Sequence, residues 1–344
     1  MPVSLEDYND SELVSAAHRF AARLDRVHKT MHDISRGRES RTESRSRMEL
    51  FEKREALKFE GSVGLQRRLG TLDSLLPYEF LEHGMLTGQA VGMVSIEELN
   101  IVGSGFMIAP DVLITNYHVL RTLEMAKYAT FKIGYEEDAL KVQPSSPKAT
   151  LKTNTDLFFA FDEKLDFCMV GVDVAAIDEQ VSWLPLLGEQ GKIKVGHPVN
   201  LIQHPNGRVK HIALHNSHLL ELDDNSTDHM FCYYSSDSEQ GSSGSPVLNN
   251  RWEVIALHHK AIPATNSKNQ ILDINGKTMT EKRFIDTPDL VRWIANEGVR
   301  VSRIVERLKE IEPVIDNNDR KAKMLALWDS PKSRRIGLKI GWSD

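Results

Sequence analysis

Cysteine is nearly absent from this 344-residue chain, which has only Cys168 and Cys232. Chains built for an oxidising compartment usually carry several disulfides, so two thiols fit a reducing one, and a cytoplasmic location is expected. Long apolar runs are also lacking. No stretch reaches the length that spans a bilayer, and the opening Met1-Pro2-Val3-Ser4-Leu5-Glu6-Asp7 lacks the basic-then-apolar layout of a signal peptide. Basic excess is missing too: 43 Lys and Arg stand against 49 Asp and Glu, a net charge of -6. That argues against a nucleic-acid or membrane-surface binder, because both polyanions demand positive charge. What remains is ample apolar material, 40% of residues, enough for one large domain with extensions.

The patterning falls into three regions. Over residues 11–34, Leu13, Ala17, Phe20, Leu24, Val27, Met31 and Ile34 recur at alternating spacings of four and three, predicting a helix with one apolar seam. Asn9, Asp10 and Ser11 offer N-caps. A seam of this length is short for a free-standing coiled coil, so packing on the chain's own body is preferred to a dimer or adaptor seam. Residues 36–47 mix Arg36, Arg38, Arg41, Arg45 and Arg47 with Glu39 and Glu43 and read as a solvated connector. A less regular helical stretch follows at Met48, Leu50, Phe51 and Leu57. From Gly92 the period changes to that of strands, with candidates at 112–115, 128–133, 167–172, 199–203, 209–215, 230–234, 252–258 and 283–286. Many short strands at turn-punctuated spacing predict an all-β barrel or sandwich. After Pro288 the pattern turns helical, with Ile304, Val305, Leu308 and Ile311 on one face up to Pro313. The tail adds a short helix candidate at Met324, Leu325, Leu327 and Trp328 and a basic patch at Lys332, Arg334 and Arg335.

Three runs carry chemistry. Leu113-Ile114-Thr115-Asn116-Tyr117-His118 puts a histidine at the end of an apolar strand. Leu165-Asp166-Phe167-Cys168-Met169-Val170 puts an aspartate at the mouth of another, a better anchored position than Asp162 or Asp156 just upstream. Gly241-Ser242-Ser243-Gly244-Ser245-Pro246 brackets a serine with glycines. A serine hydroxyl attacks a carbonyl only when a base removes its proton, and His118 and Asp166 supply that base and its anchor. Gly241, lacking a Cβ, can turn its N–H toward a substrate beside that of Ser243, forming an oxyanion hole. An α/β-hydrolase is excluded: its elbow wants glycine at 245, and its triad runs Ser, Asp, His. His211, His215 and His218 share a hairpin but lack an acidic partner at ligand spacing, so no metal and no cofactor are expected.

On these runs, with Gly103-Ser104-Gly105-Phe106-Met107-Ile108 and Val254-Ile255-Ala256-Leu257-His258, residues 76–290 resemble the trypsin-like (chymotrypsin-fold) serine peptidases, the bacterial glutamyl-endopeptidase-like branch in particular. The resemblance implies a mainly β fold of two antiparallel β-barrels, with catalytic His118, Asp166 and Ser243 and an oxyanion hole at Gly241 and Ser243. The two cysteines would then lie on strands of different barrels, buried and unpaired. It also implies two conflicting substrate-binding residues. Asp237, six before Ser243, stands where trypsin relatives receive Arg or Lys; His258 stands where glutamyl endopeptidases receive Glu. A buried Asp–His pair would neutralise itself, and acidic or broad preference is expected. Ser242 replaces the aspartate that captures a new N-terminus in zymogen-activated relatives, so activity should need no such clip.

The expected organisation is a helical N-terminal region (1–75), a double-barrel peptidase (76–298), and a C-terminal helix and tail (299–344). The expected activity is serine endopeptidase action on a protein or peptide substrate, with no nucleic acid and no membrane. An activating or regulatory protein is expected to act through residues 1–75, and homo-oligomers are compatible with the seam. A chain beginning near residue 76 is expected to be active or hyperactive. The alternative is a catalytically inactive protease-like scaffold that recruits partners.

Overall fold

The computed structural model describes residues 11–38, 49–50, 76–137, 146–175, 181–222 and 230–330 of the chain. The caps Asn9 and Asp10, the side chain of Leu13, the connector beyond residue 38, the stretch at Met48, Phe51 and Leu57, and the basic tail patch lie outside them.

Short β-branched and aromatic runs become the strands β1 (Val91–Ile96), β2 (Ile101–Ala109), β3 (Val112–Thr115), β4 (Thr130–Ile133), β5 (Ala149–Lys152), β6 (Phe158–Asp162) and β7 (Phe167–Gly171) of one sheet. The second holds β8 (Asn200–Gln203), β9 (His211–Ala213), β10 (His218–Glu221), β11 (Phe231–Ser235), β12 (Pro246–Leu248), β13 (Val254–Pro263) and β14 (Trp293–Arg300). The two-residue β15 (Ile315–Asp316) joins the first sheet at its edge. The orders are β15-β6-β7-β3-β2-β1-β4-β5 and β10-β11-β14-β13-β12-β8-β9, and every pairing is antiparallel.

Each sheet curls back on itself. Past β5, Asn154 N–H donates to Gly171 O (2.6 Å) and Asp173 N–H to Lys152 O (2.9 Å), bridging Thr153 to Val172 beyond β7. In the second sheet Val199 N–H donates to Ser217 O (3.0 Å) and Leu219 N–H to His197 O (2.9 Å), which ties the entry of β8 to β10. Closure satisfies edge groups that would otherwise face solvent unpaired. The expected mainly β, two-sheet architecture with helices at both ends is present. Cys168 on β7 and Cys232 on β11 are both buried, and neither is in a disulfide among the described residues.

The helices pad opposite barrels. The predicted N-terminal helix is broken at Ala22–Arg23 into α1 (Ser11–Ala21) and α2 (Leu24–Ser35). Ala17, Phe20 and Val27 are buried in a cluster with Leu220, Tyr233, Ile262 and Ile271 of the second barrel, so the seam packs on the chain's own body. Met31, assigned to the same seam, is exposed. Then come α3 (Glu79–Gln89), α4 (Leu123–Tyr128), α5 (Glu281–Asp286), α6 (Val301–Glu310) and α7 (Arg320–Asp329). The last two cover the first barrel: Ile304, Leu308, Met324 and Trp328 join its core, and Trp328 Nε1–H donates to Ile108 O (2.7 Å).

Two expectations need correction. The strand expected at 283–286 is part of α5, because the Thr280 hydroxyl accepts from Arg283 N–H (3.3 Å) and caps a helical turn there. The helical pattern expected after Pro288 is preceded by a full strand, β14. It pairs with β11 on one side and β13 on the other. Burial on both faces erases the alternation by which an exposed strand is recognised.

Candidate active site

His118 follows β3 directly, and Asp166 opens β7, the strand paired with β3. The β6–β7 hairpin turn puts Asp166 in the left-handed region (φ 46°), where aspartate is tolerated better than bulkier residues. Its main-chain carbonyl accepts from Asn116 Nδ2–H (2.9 Å), and its carboxylate is then aimed at His118. Oδ1 accepts from the His118 main-chain N–H (2.8 Å), and Oδ2 lies 2.6 Å from His118 Nδ1. A second histidine, His259 on β13, brings its Nδ1 to the same Oδ2 at 2.7 Å. Burial opposes the charge on Asp166, but the hydrogen bonds from His118 and His259 outweigh it and hold its carboxyl well below the usual carboxylate range. An ionised carboxylate only accepts, so both imidazoles donate from Nδ1, and Nε2 of His118 is left as the basic nitrogen.

The upstream aspartates are elsewhere. Asp162 Oδ1 accepts from Leu165 N–H (2.8 Å) within the hairpin, and its Oδ2 takes Arg307 Nε–H (2.5 Å) from α6. Asp156 is exposed.

Ser104 of β2 stitches the serine loop to the first barrel. Its N–H donates to Ser243 O (2.8 Å), its hydroxyl donates to Gly241 O (2.8 Å) and accepts from His204 N–H (2.9 Å), and its carbonyl accepts from Thr115 Oγ1 (2.8 Å). Nothing in the sequence singled out Ser104 or Asn116 for these tasks. A Cβ on Gly103 would lie 3.0 Å from Val119 and 3.3 Å from Ser243 O, so the loop packs beside the residue that follows His118. Gly244 has φ 88°, and a Cβ there would overlap Ser104 O and Thr115 Oγ1; no other residue fits.

Within the loop the main-chain donors divide. Ser242 N–H donates to Glu239 O (3.0 Å), Gly244 N–H to His258 O (3.1 Å) and Ser245 N–H to Ser242 O (3.1 Å). Those of Gly241 and Ser243 have no partner among the described residues. Ser242 is buried, and its hydroxyl accepts from Glu239 N–H (3.0 Å). Ser243 is half-buried, and no hydrogen bond joins its hydroxyl to His118 among the described residues; nucleophile–base bonds commonly tighten only when substrate binds.

The two residues assigned to substrate selection are not paired. Asp237 is exposed, and its main-chain carbonyl accepts from Gln203 Nε2–H (2.9 Å). His258 is buried on β13 with Nδ1 2.5 Å from the Tyr234 hydroxyl. The self-neutralising Asp–His pair does not form. Burial, reinforced by His259 and His118, pushes His258 down to about 3, so burial rather than a carboxylate keeps it neutral.

His118, Asp166 and His259 also offer ligand atoms within 4.8 Å of one another. A cation there would have to displace both Nδ1 protons from Asp166, so the cluster reads as a hydrogen-bonded one. His211 and His215 are exposed, and His218 lies half-buried on β10.

Buried His204, at the edge of the serine loop, is pushed down to about 4 by burial. An unfolded histidine takes up a proton near pH 6.5. His204 and His258 therefore stabilise the fold above about pH 6.5, and that stability is lost as pH falls toward 4 and 3. His204 alone accounts for a loss on the order of 3 kcal/mol across this window. Urea unfolding at pH 7, 5.5 and 4 should show the midpoint falling at each step; a flat profile would contradict the assignment.

The family model of the trypsin-like peptidase domain matches residues 103–257, the stretch that holds His118, Asp166 and Ser243. The chain is 30% identical over 257 residues to the uncharacterized protein y4fB of Sinorhizobium fredii. That match takes in 70% of this chain and 39% of the relative, so the chain spans about two fifths of that protein's length. Similar solved structures include the Rv3671c protease of M. tuberculosis in its active form, at 14% identity and TM-score 0.43, covering 75% of this chain and 98% of that one. Deg5 is similar at 14% identity and TM-score 0.44, covering 66% and 91%.

Proposed function

With residues 103–257 carrying a trypsin-like peptidase domain, we propose that this chain is a serine endopeptidase working through His118, Asp166 and Ser243. The observation that carries the reading is the double grip of Asp166 on His118, through Nδ1 and the main-chain N–H. That grip sets the tautomer in which Nε2 is free to act as a base. Ser243 Oγ attacks the carbonyl of a bound peptide bond as His118 Nε2 takes its proton. The negative oxygen that forms is received by the free N–H groups of Gly241 and Ser243. Collapse expels the amine, which receives its proton from His118, and leaves an acyl-enzyme that water then hydrolyses by the same steps.

Ser242 supports a further point. Its hydroxyl is used inside its own loop, so the site is organised without capture of a freshly cut N-terminus. The two buried thiols fit a reducing compartment, and we place the enzyme in the cytoplasm on that ground. Among the described residues no helix is long and apolar enough to cross a membrane. Neutral His258 offers no positive charge to a substrate side chain, so cleavage should be broad rather than confined to sites after Glu. A peptide library scored at the residue before the cut tests this, and strict cleavage after Glu would overturn it.

The function itself is tested with a fluorophosphonate probe. Labelling of the wild type and not of Ser243→Ala supports the peptidase; labelling of neither favours a partner-recruiting scaffold.

A further inference from the structure

Asp166 is the inner end of a longer chain of ionisable groups. His259, which shares Oδ2 with His118, is 1% exposed, and its other ring nitrogen, Nε2, lies 3.5 Å from Glu297 Oε1. Glu297 sits on β14 with its side chain wholly buried. A buried carboxylate is costly unless cations and donors surround it. Tyr233 donates its hydroxyl to Oε2 (2.9 Å), and the remaining compensation comes from the other end of the sequence. Arg19 of α1, 278 positions away, grips Glu297 in a fork, Nε–H to Oε2 (3.0 Å) and Nη2–H to Oε1 (2.6 Å). The fork is aimed by its surroundings. The guanidinium stacks 4.2 Å over the Phe231 ring, whose other neighbour is the His259 ring at 5.6 Å. Next along α1, Phe20 meets Tyr233 edge-on at 5.2 Å. Arg23 and Arg26 reach Glu221 of β10 at 3.5 and 3.4 Å, a second set of charge contacts securing the N-terminal helices.

We propose that Arg19, Glu297 and His259 form a positioning chain running from the docked N-terminal helix to Asp166, so that proton transfer by His118 depends on α1 being seated. The inference rests on the peptidase reading and names the device by which the N-terminal region governs it. Asp166 Oδ2 serves two imidazoles at once, and its direction is set by both. His259 holds it from the second barrel while His118 uses it from the first. His259 Nε2 in turn faces Glu297 at 3.5 Å, and the Arg19 fork fixes the Glu297 carboxylate in place. None of these three side chains needs to touch substrate. Unseating α1 would leave Glu297 inside the barrel with only the Tyr233 hydroxyl and His259 beside it, and a shift of His259 toward Glu297 would disturb its contact with Asp166. The enzyme is therefore on when the helix is docked and damped when a partner draws it away. This reverses the expectation of an active or hyperactive chain beginning near residue 76: such a chain lacks Arg19 and should be impaired.

The test uses the full chain with Arg19→Ala, Arg19→Lys, Glu297→Gln and the Arg19→Ala/Glu297→Gln pair, each checked for a cooperative melt. Arg19→Ala should lower kcat by about tenfold or more with KM little changed, the pattern of a lost supporting partner. Fluorophosphonate labelling should slow in parallel. Arg19→Lys keeps the charge but not the fork and should fall between, which keeps the question open to measurement should the alanine variant fold poorly. Millimolar guanidinium should restore activity to Arg19→Ala, and the paired variant should lose less than the product of the two single losses. Wild-type kcat in folded Arg19→Ala and Glu297→Gln would overturn the chain, as would losses that are additive and not rescued by guanidinium. A wild type that neither labels nor cleaves would instead remove the peptidase reading beneath it.

Discussion

Replacing Ser243 with alanine is expected to lower kcat by about a millionfold while leaving the melting temperature unchanged. The expected loss is large because Ser242 and Ser245 are buried, which leaves the half-buried Ser243 hydroxyl as the one in the loop placed to form an acyl bond. The fold loses nothing comparable. The Ser243 main chain is held through its carbonyl by Ser104 N–H, a contact that alanine keeps, and the hydroxyl has no hydrogen-bond partner to forfeit among the described residues. The small rate that survives should come from the N–H groups of Gly241 and Ser243, which polarise a carbonyl without a nucleophile. Active-site titration with an acylating substrate reads the result directly. A burst of product from Ser243→Ala would move the nucleophile elsewhere.

Asp166→Asn is expected to cost about 10⁴ in kcat, and unlike the serine variant it should also cost stability. The carboxylate accepts from three donors, two imidazole Nδ1–H groups on Oδ2 and the His118 main-chain N–H on Oδ1. An amide has one accepting oxygen and one donating nitrogen, so whichever way it turns a donor meets a donor. If its nitrogen faces the imidazoles, His118 must carry its proton on Nε2, where it cannot act as a base. If its nitrogen faces the main chain, a buried N–H of His118 is left without an acceptor. An unmet buried donor costs about 1–3 kcal/mol. The variant should therefore show lower kcat with KM nearly unchanged, together with a lower urea midpoint. A variant that loses activity with no change in stability would mean that one of the two Oδ contacts is not made in solution.

Legibility in the sequence followed chain locality. His118 and Asp166 stand out because each closes or opens an apolar run, and neighbouring strands β3 and β7 carry them into contact. Asp162 competed with Asp166 on paper, since both flank the same hairpin; its ion pair with Arg307 comes from a helix 145 residues further on. The seam of α1 and α2 showed its apolar face plainly, but not the break at Ala22–Arg23, because both halves keep the same face toward one barrel. The strand β14 was hidden altogether. Asn296 and Glu297 sit among its buried residues, and polar groups on a strand are ordinarily read as facing water. His259 is hidden for the same reason: it is one of two adjacent buried histidines on β13, at a point where the pairing with β14 shifts register.

Local pattern alone was enough to specify two barrels of short strands, a serine in a glycine-bracketed loop, and a histidine and aspartate at strand ends. Each of these is a statement about neighbours in the chain, where propensity and spacing act directly. It took the folded molecule to show that Asp166 serves two histidines, that Ser104 stitches the serine loop to the first barrel, and that Arg19 reaches Glu297 across 278 positions. The reason lies in burial. A charge on an exposed surface needs no partner, whereas a carboxylate taken out of water must be met wherever in the chain a cation can be brought to it. The glycines and Ser243 answer to local geometry, but the partners of Asp166 and Glu297 answer to the low dielectric of the interior, which exists only once the barrels have closed.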